Sequence, residues 1–154
     1  MGKKTVFCDP EKCTGCKICE VVCSVVKEKK INPHLSRIRV VRLDPLSIIA
    51  ITCQGCDKAP CIQSCPKKAL SLGEDGVIKL DEGKCTFCGW CLQSCHFGAI
   101  TLLPSHGFIC DLCEGAPKCV EHCPKTALIF GTREEIASRI RRKNATNLLT
   151  ELAK

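Results

Sequence analysis

The apolar positions of this chain come in short packets, none long enough to build a large core, and cysteines punctuate nearly all of them. Thr5 to Cys8 reads as a strand closed by the turn Asp9-Pro10-Glu11-Lys12. Over residues 17–30, Cys19, Val22, Cys23 and Val26 fall at helical spacing, so Cys19 and Cys23, four apart, share one face. Arg37-Ile38-Arg39-Val40-Val41-Arg42-Leu43 alternates imperfectly. With a turn at Asp44-Pro45 and the run Ile48-Ile49-Ala50-Ile51, it predicts a hairpin whose charges form a solvated face. A second hairpin is expected from Ala69 to Leu72, the turn at Gly73 to Gly76, and Val77 to Asp81. Gly98 to Leu103 is a strand, Gly107-Phe108-Ile109 leads into more cysteines, and Lys125 to Phe130 is a closing strand.

Within this pattern lies an internal repeat. A last cysteine, a small turn, then alanine and a hydrophobic strand recur in Lys68-Ala69-Leu70, Gly98-Ala99-Ile100 and Thr126-Ala127-Leu128. Residues 132–154 depart from it. Thr132-Arg133-Glu134-Glu135 fits a capping box, and Ile136, Ile140, Leu148, Leu149 and Leu152 form an apolar stripe expected to break near Asn144 to Asn147. The stripe suits a helix docked on a partner as well as one packed over its own domain.

Composition changes the picture, because the chain has 17 cysteines in 154 residues and only 4% aromatics, so something besides apolar side chains must hold it together. Sixteen thiols fall into four runs. These are Cys13, Cys16, Cys19, Cys23; Cys53, Cys56, Cys61, Cys65; Cys85, Cys88, Cys91, Cys95; and Cys110, Cys113, Cys119, Cys123. Cys8 is left over, and a buried small hydrophobe is its expected role.

Structural zinc wants two Cys-x2-Cys pairs held well apart, whereas here three or four ligands crowd together and two runs end in Cys-Pro. A disulfide scaffold belongs to secreted chains, and the N-terminus shows no signal-peptide run. The spacing fits [4Fe-4S] clusters instead, each taking the first three cysteines of one run and the last of another. The four runs must then pair two by two. Sequential and nested pairing both satisfy the cysteines.

In their order, Cys-x2-Cys-x2-Cys-x3-Cys, Cys-x2-Cys-x4-Cys-x3-Cys-Pro, Cys-x2-Cys-x2-Cys-x3-Cys and Cys-x2-Cys-x5-Cys-x3-Cys-Pro, the runs resemble the four-cluster ferredoxin-type electron-transfer subunits. Such subunits accompany tungsten and molybdenum oxidoreductases, carbon monoxide dehydrogenases and hydrogenases. The resemblance implies an α+β fold of tandem bacterial-ferredoxin-like βαβ units in two nested pairs, with a C-terminal helical extension. Residues 1–131 would form the polyferredoxin domain, with 52–103 as the inner two-cluster unit and 5–30 with 104–131 as the outer one; 132–154 would be the extension. It also implies the ligand sets Cys13, Cys16, Cys19 with Cys123; Cys110, Cys113, Cys119 with Cys23; Cys53, Cys56, Cys61 with Cys95; and Cys85, Cys88, Cys91 with Cys65. The stretch 32–41 and the basic C-terminal helix look most like subunits paired with tungsten aldehyde oxidoreductases. Two departures are Ser24 after Cys23 and His96 after Cys95, where simple bacterial ferredoxins have proline.

The implied function is a wire, with no substrate site of its own. No nucleophile–base pair or phosphate loop is visible, and every cluster has four protein thiolates. The expected partners are a catalytic subunit, tungsten or molybdenum pterin enzymes first, and a soluble ferredoxin or flavin subunit. Carbon monoxide dehydrogenase or hydrogenase subunits and a free polyferredoxin are the alternatives. A formal charge of +7 suggests nucleic acid, but four clusters with four thiolates each bring it to about −1, and no aromatic stacking surface accompanies the basic residues. No stretch approaches the ~18 apolar residues of a membrane span, and a reducing cytoplasm is the expected location. Trp90 is expected to shield a cluster and His96 to be a surface imidazole; nothing is assigned to His34.

Overall fold

The first strand of the chain pairs with its last. In the computed structural model, which describes residues 2–152, β1 (Lys4–Cys8) leads through the first cysteine run into α1 (Ile18–Glu28). The hairpin of β2 (Arg39–Arg42) and β3 (Ile48–Ile51) follows, then the short α2 (Pro60–Gln63) and the hairpin of β4 (Leu70–Leu72) and β5 (Ile78–Leu80). After α3 (Trp90–Ser94) come β6 (Thr101–Leu103) and β7 (His106–Phe108), then α4 (Lys118–Glu121), β8 (Leu128–Thr132) and the long α5 (Arg133–Leu152). Met1, Ala153 and Lys154, the ends of the predicted domain and extension, lie outside the described residues.

The strands form four two-stranded antiparallel sheets, three of them hairpins and the fourth β1 with β8, where Val6 faces Phe130 and Cys8 faces Leu128. The fold is thus a small mixed α and β, ferredoxin-like one. α1 packs against α4, and α2 against α3.

Two small apolar clusters share the core, and cysteines are members of both. Val6, Cys8, Cys19, Ile38, Cys119 and Leu128 belong to one; Ala59, Cys61, Leu70, Ile78, Ile100 and Ile109 form the other. Hydroxyls stitch β1 to the second run: buried Thr5 donates to the Cys53 carbonyl and buried Thr52 to the Val6 carbonyl, both at 3.0 Å. Each leaves no orphaned hydroxyl where the two clusters meet.

Two expectations need correction. The hairpin charges are not all solvated: Arg37 is largely buried, pairing with Glu28 at 2.7 Å and stacking over Phe108 at 5.2 Å, while Arg39 donates to the Pro33 and His34 carbonyls. An arginine fork can satisfy several acceptors at once, which is how these two hold the 33–35 turn and α1 to the hairpin. The second correction concerns α5, which runs unbroken through Asn144 to Asn147. Asparagine costs only about 0.7 kcal/mol in a helix, and no glycine or proline stands nearby to stop it. The stripe also ends early, since Ile136 is buried but Leu148, Leu149 and Leu152 are exposed. The capping box forms as expected, with Thr132 N–H donating to Glu135 Oε2 at 2.8 Å and Glu135 N–H to Thr132 Oγ1 at 3.2 Å.

Candidate functional site

Sixteen cysteines line four cavities, four to each. The Cys13 cavity is lined by Cys13, Cys16, Cys19 and Cys123; the Cys110 cavity by Cys110, Cys113, Cys119 and Cys23. Cys53, Cys56, Cys61 and Cys95 line the third, and Cys85, Cys88, Cys91 and Cys65 the fourth. In each, three sulfurs come from one run and the last from another. Each frames about 330 to 360 Å³ of empty space, part of it open to solvent. Among the described residues, no three Cys, His, Asp or Glu side chains converge tightly enough for a single ion. These donors therefore stand around a space, as a multi-atom cluster requires, and the soft thiolate set is the one iron–sulfur clusters take.

The short helices explain the exchange of sulfurs. Cys19 and Cys23 are one turn apart on α1, so the helix faces the Cys13 cavity at its start and the Cys110 cavity a turn later. α4 does the reverse with Cys119 and, just past its end, Cys123. Cys61 and Cys65 around α2, and Cys91 and Cys95 around α3, make the same exchange in the other two cavities. Ile109 lines the Cys53 cavity while the next residue lines the Cys110 cavity. The cavities thus adjoin in the order Cys13, Cys110, Cys53, Cys85. Two cysteines are exposed, Cys16 and Cys88, and they belong to the two end cavities.

Backbone geometry repeats with the cysteines. The residue before each run's second cysteine has positive φ: Gly15 at 70°, Gly55 at 56°, Phe87 at 52° and Leu112 at 56°. This left-handed step curls the loop so that its amides turn toward the sulfurs; Phe87 N–H donates to Cys85 Sγ at 3.4 Å. At Gly15 the step demands glycine twice over, since a Cβ there would lie 2.9 Å from Arg42 Nη2 and 3.1 Å from Ile48.

The repeated alanine also acquires a physical reason. Ala69, Ala99 and Ala127 donate their amides to Cys65, Cys95 and Cys123 at 3.3 to 3.4 Å, each preceded by a residue of positive φ, namely Lys68, Gly98 and Thr126. The fourth such cysteine, Cys23, differs because α1 continues past it. Its amide donor is Arg37, at 3.2 Å. Proline after Cys23 would break that helix, whereas the buried Ser24 donates to Val21 O and accepts from Asn32 N–H, which accounts for the first departure from the ferredoxin pattern.

Burial sets the protonation of these thiols. It pushes Cys19 and Cys110 up to about 12 and Cys61 to about 11, and raises Cys119, Cys53, Cys23 and Cys91 as well, with neighbouring thiols adding to the effect. The Arg37 amide and charge oppose it at Cys23. Seven thiols so enclosed would need compensating cations on losing their protons, a charge that a cluster's iron would supply.

Cys8 is 3% exposed, and burial raises it to about 12, so it is a packed thiol beside Cys13 rather than a cavity ligand. Trp90 lines the Cys85 cavity but is 58% exposed, so it covers that rim only in part. His96 is exposed at the rim of the Cys53 cavity, and His34 is exposed with its amide donating to Asn32. Sequence reasoning missed Arg37 in the Cys110 cavity and the buried Glu20, which accepts from Val40 N–H at 2.7 Å and ties α1 to β2. The available signal was a charge beside apolar neighbours, Arg37 before Ile38 and Glu20 between Cys19 and Val21.

A 4Fe-4S dicluster domain family matches residues 52–99, which hold the second and third runs. The polyferredoxin-like subunit of aliphatic sulfonate oxidoreductase from Pyrococcus furiosus is 43% identical over 77% of this chain and 70% of its own length. This chain belongs to the 4Fe-4S electron-transfer subunits of oxidoreductases. The subunit's other relatives include the thiosulfate reductase electron transfer subunit of Salmonella typhi, 31% identical over 82% of this chain and 74% of that one. A ferredoxin of Methanocaldococcus jannaschii is 34% identical over all of this chain and 98% of its own. Among the described residues of this electron-transfer subunit, no helix is long and apolar enough to cross a membrane.

Proposed function

We propose that this subunit relays electrons through four [4Fe-4S] clusters, one in each thiol-lined cavity, between a catalytic oxidoreductase subunit and a redox partner. The observation that carries the reading is the distribution of thiols: every cavity has four, three from one run and one from another, with none shared. That distribution supports the nested ligand sets, with Cys123, Cys23, Cys95 and Cys65 as the crossing ligands. The pairing of β1 with β8 and of α1 with α4 supports an outer unit around an inner one.

When bound, such clusters take up and release single electrons at potentials set by hydrogen bonds, charge and solvent access. The chain's own residues supply those settings. Amides of Ala69, Ala99, Ala127 and Arg37 are aimed at the four crossing sulfurs, and apolar side chains such as Ile38, Ile78 and Leu128 keep water from the inner walls. Electrons would enter at one exposed end cysteine and leave by the other, with Cys16 and Cys88 marking the two contact points.

The partner we propose is a tungsten or molybdenum pterin enzyme of the aldehyde oxidoreductase type. The resemblance of residues 32–41 and of the basic C-terminal helix supports it. Similarity to a sulfonate oxidoreductase subunit and a thiosulfate reductase subunit supports an oxidoreductase more broadly. Anaerobic purification of the tagged full-length chain tests both halves. It should carry iron and acid-labile sulfide at about 16 atoms each, four per cluster, and a stoichiometric catalytic subunit holding tungsten or molybdenum. Zinc in place of iron would refute the cluster reading; a chain eluting alone would refute the subunit reading.

A further inference from the structure

One buried polar atom among the described residues has no hydrogen-bond partner, and it belongs to a residue of the Cys110 cavity. Arg37 Nη1 is the orphan. The rest of the residue is held at three points. Nη2 pairs with Glu28 at 2.7 Å, the guanidinium lies over the Phe108 ring at 5.2 Å, and the Arg37 amide donates to Cys23 Sγ at 3.2 Å. A buried N–H of a guanidinium left unpaired is costly, and arginine is placed in such settings where an anion completes its fork. Among the described residues its one ion-pair partner, Glu28, is already used by Nη2, and the other charges of this lining are paired elsewhere, Asp111 with Lys27 and Lys118 with Glu121.

We infer that Arg37 is the residue that tunes the Cys110-cavity cluster, raising its reduction potential above what the same four thiolates would give without it. The inference rests on the cluster reading above and extends it. Reduction adds one electron to the cluster and neither makes nor breaks a bond, so a fixed positive charge at the wall stabilises the reduced form more than the oxidised one. Arg37 lines the cavity, and its unpaired Nη1 is a charged donor for which a cluster's sulfur would be an acceptor. No counterpart lines the other three cavities. Lys17 and Lys125 at the Cys13 cavity and Lys67 at the Cys85 cavity are all exposed, so solvent screens them, and the Cys53 cavity has no Lys or Arg in its lining. In the row of four, this makes the second position an electron-accepting step, distinct from its neighbours.

The test is an anaerobic redox titration of the full holo-chain followed by electron paramagnetic resonance, with iron per chain measured on each variant. Arg37→Gln should lower the potential of one cluster, the one whose signal Cys23→Ser also alters. The expected size is at least a tenfold change in the ratio of reduced to oxidised cluster at fixed potential, which is 59 mV for one electron. Arg37→Lys should retain most of the wild-type value, and Arg39→Gln should move none. Should Arg37→Gln lose iron, Glu28→Gln decides: removing the compensating carboxylate should shift the same cluster upward. Four unchanged potentials with full iron in Arg37→Gln, or an unchanged or downward shift in Glu28→Gln, would overturn the inference while leaving the cluster reading intact. A wild-type chain without iron would instead sink the reading on which it stands.

Discussion

The amide of Ala127 donates to the sulfur of Cys123 at 3.3 Å, and the residue before that alanine, Thr126, has φ of 48°. A β-branched residue in the left-handed region costs about 1–2 kcal/mol, and the structure accepts it to aim one N–H at one sulfur. At the equivalent place before Ala99 stands Gly98, which adopts 61° freely. Exchange of the two residue types gives the expectation. Thr126→Gly should stabilise the holo-protein by about 0.5–1 kcal/mol in denaturant unfolding, after the extra chain entropy of glycine is allowed for. Gly98→Thr should destabilise it by about 1–2 kcal/mol. A Cβ at 98 meets nothing within 4 Å, so the cost would be backbone strain alone.

Cys95 separates the two pairings. It lines the cavity of Cys53, Cys56 and Cys61. Cys95→Ser should perturb or remove that cluster, about four iron atoms per chain at most, and leave the resonance spectra of the other three as they were. Loss shared with the Cys110 cluster would count against nested ligation.

α5 is tethered where Lys143 Nζ meets Asp9 Oδ2 at 2.7 Å and Glu11 Oε2 at 2.6 Å. Burial alone would raise the Asp9 carboxyl, but the Lys143 hydrogen bond, the Glu11 amide and nearby positive charge outweigh it and hold it below the ordinary value. A depressed carboxylate stabilises the fold above its unfolded pKa of about 3.9, and that contribution disappears as pH falls through the lower folded value. Lys143, raised by the same bonds, keeps its charge throughout the neutral range. Protection factors for amide exchange over residues 137–152, which correct for the intrinsic pH dependence of exchange, should therefore be high at pH 7 and fall as pH drops below about 3.9. In Lys143→Met they should already be low at pH 7, with iron content unchanged.

Chelation should unfold the chain. Its apolar core is two small clusters, both of which include cavity cysteines. Cluster binding is then also folding energy, and iron removal should abolish the far-ultraviolet signal of α1 while the wild-type signal persists under the same buffer without chelator. An apo-chain that kept its circular dichroism would show that side-chain packing suffices.

The local elements were readable because their signals are local. Cys19, Val22, Cys23 and Val26 mark one helical face, the two expected hairpins carry turn residues between apolar runs, and the Thr132 to Glu135 box forms as spaced, whereas the β6–β7 hairpin was read only as a strand and a lead into the fourth run. Pairing of the runs was open in the cysteines alone, since nothing in their spacing tells that β1 will find β8 across the whole chain. Arg37 and Glu20 were hidden for a different reason. A charge in an alternating strand, or on a helix without a mapped partner, reads as solvent-facing by default, and only tertiary contacts with Glu28, Phe108 and the Val40 amide place them inside. The unbroken α5 shows the limit of reading breaks from asparagine: Thr146 and Thr150 return their hydroxyls to carbonyls one turn back, at 3.0 and 2.9 Å, and the helix passes through.

The most direct measurement is an anomalous difference map collected at the iron edge from anaerobically grown crystals. Four compact groups of iron should appear in sequence, one in each cavity, with the first group touching Cys123 and the second touching Cys23. Sulfur–sulfur bonds among these cysteines, isolated single-ion peaks, or iron confined to the two cavities of residues 52–99 would contradict a four-cluster relay.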